Sequence, residues 1–502
     1  MSGFVVTTDI ENCGKMMERQ RFRAPDGMAM WKNDKIAMAH GLLDISGKKQ
    51  LQPYKTKKNN YLVFNGEMYD TNIQNDTKYL ADGLEHYGFK FLEWNDWHGS
   101  LAWYQPEKNK LIVCRDHFGA KPLWIYKKGK HVTVTTSLRS LSDMKENRAN
   151  KKGFIINALL QGNESPYKDV VKVAPGEYVI FDFNKNKIIY KNLWNSFKVR
   201  SNPFSKADFR ARLIANIQKI ATSRQKTGLF LSGGFDSTFA LSVVKDMDLD
   251  LTVYICAYDN SSGLYHNHNT FKHEARLAAE TCKQWGVKHK IVVLQQDKIY
   301  DYDRRWLNNA RFPWSDRNRR VPRYFLCEQA AKDGCKVIFT GDSADEIVSG
   351  YMHHHKFWLE NYCEEKLEWY KTFTRWPNIE WSDTDKWNNM LLSDLLITSE
   401  QNILATDQTC GMFGMESRPV YLGQNFVRYC YEFDGMTKFT QKFGWDTGTY
   451  KYLLREVMGD MIPNHVKDRK RKTGWSSPWD NNHKTLAIEW RNRDWQYMTE
   501  LT

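Results

Sequence analysis

Ten residues constrain this chain more than any others: Leu229-Phe230-Leu231-Ser232-Gly233-Gly234-Phe235-Asp236-Ser237-Thr238. The apolar run Leu229 to Leu231 has the length of a buried strand, breaks at two glycines, and resumes with Phe239, Ala240, Val243 and Val244 at helical spacing. Strand, glycine loop and helix in that order make an anion cradle. Glycines let backbone N–H groups come close, and the helix N-terminus adds unpaired donors and partial positive charge. No Gly-Lys-Ser/Thr follows, so this is not the common P-loop. Asp236 instead sets a carboxylate beside the anion, where a magnesium ion is its natural partner.

A second stretch repeats the plan. Val337-Ile338-Phe339-Thr340 reads as a buried strand, and Gly341-Asp342-Ser343-Ala344-Asp345-Glu346 as an acidic turn opening a helix. Three carboxylates within five residues repel unless a cation or protons relieve them. A solvated acidic helix start is the plainer alternative. Strands expected at 228–231, 251–257, 288–293 and 336–340 alternate with helices at 274–285 and 324–333, which implies a parallel sheet covered by helices. Ligands of such sheets sit beyond the carboxyl ends of the strands, where both stretches fall.

The first 190 residues differ. Runs at 4–8, 35–42, 61–64, 111–114, 123–126, 132–136 and 178–181 read as strands, with one helix near 77–87, so stacked antiparallel sheets are expected. The pattern loosens around Ser201-Asn202-Pro203. Two domains follow, 1–195 and 196–502, as a chain of 502 residues is too long for one core.

These phrases resemble a known family. Ser-Gly-Gly-Xaa-Asp-Ser is similar to the pyrophosphatase loop of ATP-dependent adenylating enzymes, and the 337–351 segment resembles Thr-Gly-Glu-Gly-Ala-Asp-Glu-Leu-Phe-Gly-Gly-Tyr of the asparagine synthetase family. Met415-Glu416-Ser417-Arg418-Pro419 and Arg471-Lys472-Thr473-Gly474-Trp475 look like later landmarks of that family. Arg23-Ala24-Pro25-Asp26-Gly27, Phe64-Asn65-Gly66-Glu67-Met68-Tyr69 and Arg115-Asp116-His117-Phe118-Gly119-Ala120-Lys121-Pro122 look like those of its class II glutamine amidotransferase domain. The resemblance implies an Ntn-hydrolase-like α+β sandwich followed by an α/β parallel-sheet PP-loop domain. It implies ATP and Mg2+ as cofactors, with Leu231, Ser232, Gly233, Gly234, Asp236, Ser237 and Gly341 around the nucleotide and Asp236 and Asp345 on the metal. Lys472 falls on the lysine that meets the leaving pyrophosphate, and Asp342 on a glutamate tied to amine transfer, one methylene shorter.

The chain departs from the family around the glutamine pocket. Ser2 stands where the family has its cysteine nucleophile, and a serine alkoxide is not available near neutral pH. His40-Gly41-Leu42 lacks the arginine that would clamp glutamine, and His98 falls where an aspartate receives its ammonium. Asn65 and Gly66 remain as oxyanion donors and Glu67 beside them. Loss of glutamine hydrolysis is therefore expected. A Ser2 nucleophile acting on another amide, after removal of Met1, is the alternative.

The resulting expectation is an amide-forming ligase that activates a carboxylate, aspartate by default, and joins it to ammonia or another amine. A formal charge of +14 favours polyanions and leaves nucleic acid open as a partner. Basic residues interleaved with aromatics over 304–323 suggest a solvated loop at the ATP or acceptor site, or a polyanion grip. A non-catalytic ATP-binding homologue is the remaining alternative. Nine scattered cysteines without a Cys-Xaa-Xaa-Cys pair argue against zinc fingers and disulfides and fit a reducing cytosol. No apolar run has membrane-spanning length, so a cytoplasmic protein, self-associating into a homo-oligomer, is expected.

Overall fold

The computed structural model describes residues 2–45, 49–69, 73, 75–141, 144–157, 160, 162–194, 197–200, 202–258, 268–312, 317–351, 353–355, 382–439, 451–469, 491–496 and 498. Among the described residues the first half carries twelve strands: β1 (Gly3–Thr7), β2 (Gly27–Lys32), β3 (Ala37–Leu42), β4 (Tyr54–Lys55), β5 (Tyr61–Met68), β6 (Trp97–Gln105), β7 (Lys110–Arg115), β8 (Trp124–Lys128), β9 (His131–Thr135), β10 (Val170–Lys172), β11 (Glu177–Asp182) and β12 (Lys187–Asn192). They form two six-stranded sheets, β10-β8-β9-β1-β3-β2 and β12-β11-β7-β6-β5-β4. Every pairing within them is antiparallel.

The sheets stack because their facing sides are apolar. Phe4, Val6 and Met38 of the first meet Val63, Ala102, Tyr104, Val113 and Val179 of the second. The second sheet buries its other face under the helix Asp76–Tyr87, through Leu80 and Leu84 with Phe91 and Trp97. That helix starts where the Asn75 side chain accepts the Lys78 N–H, an ordinary N-cap. Strand β6 escaped the sequence pattern, because eight of its nine residues are buried and no polar alternation marks it.

The second half holds one sheet of five parallel strands, β13 (Thr227–Phe230), β14 (Leu251–Tyr258), β15 (His289–Leu294), β16 (Val337–Thr340) and β17 (Glu416–Pro419), in the order β15-β14-β13-β16-β17. From β13 the chain builds outward through β14 and β15, then returns to add β16 and β17 on the other side. The strand order therefore reverses between β13 and β16, which opens a crevice at their carboxyl ends. Both motif loops leave from those two ends. Antiparallel sheets in the first half and a parallel sheet in the second agree with the expectation, though β17 was read only as a family landmark.

Buried charge joins the halves. Arg23 Nη2 lies 2.8 Å and Lys121 Nζ 3.2 Å from Asp407, while Arg115 Nη2 and Lys172 Nζ each lie 2.7 Å from Glu400. None of these side chains is more than 2% exposed. Removing one partner of such a pair strands the other without water, at a cost of about 3–5 kcal/mol. Glu400→Gln is thus expected to lower the urea midpoint of the full chain and to split unfolding into two phases. An unchanged, single transition would contradict this.

Candidate active site

Beyond β13 the Leu231 N–H still bonds the Tyr254 carbonyl at 3.0 Å, and the chain then turns. Ser232 Oγ sits 3.0 Å from Ser237 Oγ, and the Ser232 N–H donates to Ser237 Oγ at 3.2 Å, so the loop is closed by its own hydroxyls. Gly233 takes φ +74°, and a Cβ there would lie 2.7 Å from the Glu274 carbonyl oxygen. Both the backbone angle and the space require glycine. Gly234 is the N-cap of the helix Phe235–Val244 and offers its first amides no side-chain acceptor. Those N–H groups can face an anion instead.

The acidic turn after β16 approaches this loop directly. A Cβ at Gly341 would lie 3.2 Å from the Ser237 nitrogen. Asp236 and Asp345 come from the two neighbouring strand ends and meet on one cation. Lys451 Nζ bonds Asp236 Oδ2 and lies 2.8 Å from Asp345 Oδ1. Burial alone would lower the Lys451 pKa, but the two carboxylates outweigh it and hold it above the ordinary value. The Tyr421 hydroxyl donates to the Asp236 carbonyl at 2.8 Å and steadies the same turn. A pair of converging carboxylates is an oxygen-only donor set, which suits magnesium.

Further basic groups surround the loop. Arg469 donates to the Gly233 carbonyl and to Glu274 Oε1, both at 3.0 Å, and the Arg455 guanidinium lies 5.2 Å from the Phe235 ring centre. Burial pushes Glu274 up to about 7 against the opposing pull of Arg469. Sequence reasoning missed Lys451, Arg455 and Arg469 as site residues. Only the fold shows which of the chain's many cations turn inward. Lys472 lies outside the described residues.

Asp342 does not join its neighbours. Its carboxylate takes Arg323 Nη2 at 2.7 Å and the Thr406 hydroxyl at 3.2 Å. The expectation of a solvated loop over 304–323 is corrected at the same time. Helices Ile299–Ala310 and Arg317–Lys332 account for its described part. Arg320 is fully buried between Asp303 at 2.5 Å and Asp494 at 2.7 Å, and Trp306 is buried beside it. Charges spent on internal carboxylates leave Arg320 and Arg323 unable to grip a polyanion. Arg304 and Arg305 remain on the surface.

In the first half Ser2, Gly66 and Glu67 line a cavity of about 40 Å3 with Asp44, Gln52 and Asp76. Ser2 Oγ accepts the Leu43 N–H at 3.4 Å. Among the described residues no lysine or arginine lines this cavity. Glu67 is turned to Arg418 of the second half, and burial pushes its pKa up to about 8, with Arg418 opposing and Glu416 adding. Asn65 and His98 stand apart from it. Asn65 Nδ2 faces Ser100 Oγ at 3.5 Å, and His98 spans the halves from the Tyr69 hydroxyl, 3.1 Å from Nδ1, to the Leu422 carbonyl, 2.8 Å from Nε2.

Comparison with known proteins follows the same division. The asparagine synthase family model matches residues 208–495, more than half of the chain, and a glutamine amidotransferase domain model matches 1–194. The chain belongs to the asparagine synthase family. It is 22% identical over 460 residues to putative asparagine synthetase [glutamine-hydrolyzing] 1 of Methanocaldococcus jannaschii, covering 87% of this chain and 81% of that protein. It is 21% identical over 531 residues to asparagine synthetase B [glutamine-hydrolyzing] of Escherichia coli, covering 97% and 84%. Glutamine phosphoribosylpyrophosphate amidotransferase of B. subtilis, solved with ADP and GMP, aligns at 11% identity with a TM-score of 0.31, over 59% of this chain and 81% of that one. Among the described residues no helix is long and apolar enough to cross a membrane.

Two outcomes follow from the geometry of this family member. Lys451→Met leaves Asp236 and Asp345 facing each other without a cation, so its melting temperature should fall and excess magnesium should recover it by more than it raises that of the wild type. Equal magnesium responses would contradict the shared-cation reading. Glu274 keeps its proton in the folded chain up to about pH 7, whereas the unfolded chain loses it near 4.5. The folded state therefore binds more protons between those values, and stability falls as pH rises through them. Glu274→Gln should flatten that slope in urea titrations, and an unaltered slope would refute the assignment.

Proposed function

We propose that this chain is an ATP-dependent ligase that forms a carbon–nitrogen bond. A carboxylate oxygen of the substrate attacks the α-phosphorus of ATP, the bond to the bridging oxygen breaks, and pyrophosphate leaves. The acyl-adenylate is then attacked by an amine, AMP departs, and the amine's surplus proton goes to solvent. The observation that carries this reading is the convergence of Asp236 and Asp345 on one cation over a glycine loop, at the reversal point of a parallel sheet.

In this reading the amides behind Gly234 and the hydroxyls of Ser232 and Ser237 hold the outgoing phosphates, and Gly341 lets the second loop close on them. Asp236 and Asp345 would hold magnesium, which supplies charge to offset the departing pyrophosphate. Lys451, once the carboxylates have another cation, carries positive charge toward the same oxygens, and the family resemblance assigns the same task to Lys472. Aspartate as the activated carboxylate and ammonia as the amine are supported by membership in the asparagine synthase family. A second reading, with a different carboxylate or amine, is favoured by the engagement of Asp342 with Arg323 and Thr406, which withdraws it from the amine-transfer role.

Glutamine is proposed not to supply the amine. Ser2 has a hydroxyl in place of a thiol, no cation lines its cavity among the described residues, and Glu67 is held by Arg418. With ATP, magnesium and aspartate, AMP and pyrophosphate should appear when ammonium is added and not when glutamine is. Asp345→Asn should slow that release by roughly 100-fold or more. Asparagine formed from glutamine would overturn the reading of Ser2. Aspartate-independent behaviour with intact ATP binding would direct the search to other carboxylates.

A further inference from the structure

His353 and His354 are consecutive residues of one helical turn, and successive helical side chains point about 100° apart. Both rings nevertheless turn onto a single atom. His353 Nε2 lies 3.0 Å and His354 Nε2 2.9 Å from Oδ2 of Asp394. Asp394 comes from a separate element, as the last residue of the helix Lys386–Asp394, where the chain passes into the π-helical turn Leu395–Ser399. Such turns insert a residue into the helical ladder and re-aim the side chains beside it, often at functional sites. The Tyr351 ring stacks on His353 with centres 5.1 Å apart and stands edge-on to His354 at 5.2 Å. Both imidazoles are thus walled into place.

We propose that His353, His354 and Asp394 form a binding site for a divalent transition metal ion of the zinc class, separate from the magnesium carboxylates Asp236 and Asp345. Two imidazoles and one carboxylate are a mixed nitrogen and oxygen set that zinc and its first-row neighbours accept and magnesium does not prefer. The three ligand atoms lie within 4.8 Å of one another. Around a tetrahedral ion with ligands at about 2.1 Å, donors stand about 3.4 Å apart, so each nitrogen has only to draw back from Asp394 Oδ2 by about 0.5 Å to admit the ion. Asp394 and His354 are buried, whereas the His353 side chain is 39% exposed and gives the ion a way in from solvent.

Proton accounting is simple. Without the ion, each Nε2 carries the ring proton and donates it to Asp394. An ion bound through Nε2 moves that proton to Nδ1 in each ring. His354 gives up the long 3.4 Å contact that its Nδ1 accepts from the Tyr351 N–H. Because His353 follows Asp345 by only eight residues, the ion would tie the exit of the acidic turn to the helix Lys386–Asp394. The site extends the reading of the active site without depending on it.

Full-length protein stripped by a chelator, then held in excess magnesium to occupy competing carboxylates, should bind zinc in a calorimetric titration with one ion per chain. His353→Ala, at the partly exposed position, and Asp394→Asn should weaken that binding at least about tenfold. His131→Ala, at an exposed position away from the cluster, should not. Circular dichroism of His353→Ala identical to wild type separates lost ligation from lost folding. Cobalt should give a visible absorption band that disappears in the same variant. No saturable binding to the wild type, or equal affinity in a folded His353→Ala, would overturn the proposal.

Discussion

Two half-buried carboxylates brought to neighbouring ends of a parallel sheet repel each other unless a cation or a proton relieves them, and the surroundings of the loop follow from that constraint. Strands β13 and β16 are hydrogen-bonded neighbours, so the turns that leave them have no room to diverge. Gly341 sets them within van der Waals contact, and Asp236 and Asp345 then share the Lys451 ammonium. At short range like charges raise each other's proton affinity, and one shared positive charge removes that penalty. The result is an oxygen-lined point beside helix amides that favour anions.

The first half contributes a different kind of electrostatics. Phe64, Gly66 and Glu67 share a cavity with Ser2, but other landmarks of this half do not. Arg23, Arg115 and Lys121 instead reach Asp407 and Glu400 across the interface, and Lys336 returns the contact to Asp26. Glu67 and His98 have likewise turned to Arg418 and Leu422 of the second half. These residues of the amidotransferase domain thus serve the contact between the halves. Buried ion pairs contribute little net stability but forbid alternatives, since breaking one leaves a charge stranded out of water.

The backbone around the candidate site was readable residue by residue where its causes are local. The glycine loop could be assigned because a strand period, two glycines and a helical period follow in ten residues, and each has a local physical cause. Strand β6 could not, because burial on both faces removes alternation from its sequence. Arg320 and Arg323 were misread for a related reason. A basic side chain looks the same in the sequence whether it faces solvent or an internal carboxylate, and only the partners Asp303, Asp494 and Asp342 distinguish the cases. Lys451 stands 215 residues from Asp236, a separation that no local pattern bridges.

By itself the sequence determined what depends on neighbours along the chain: the two sheet-forming halves, the strand, glycine loop and helix of 229–244, and the acidic turn. The tertiary structure alone decided which charges meet. It put Lys451 between Asp236 and Asp345, gave Asp342 to Arg323, turned Glu67 toward Arg418, and aimed His353 and His354 at Asp394. The physical reason is that backbone periodicity is set by residues a few positions apart, whereas a charge is satisfied by whatever partner the packing of distant segments brings within about 3 Å.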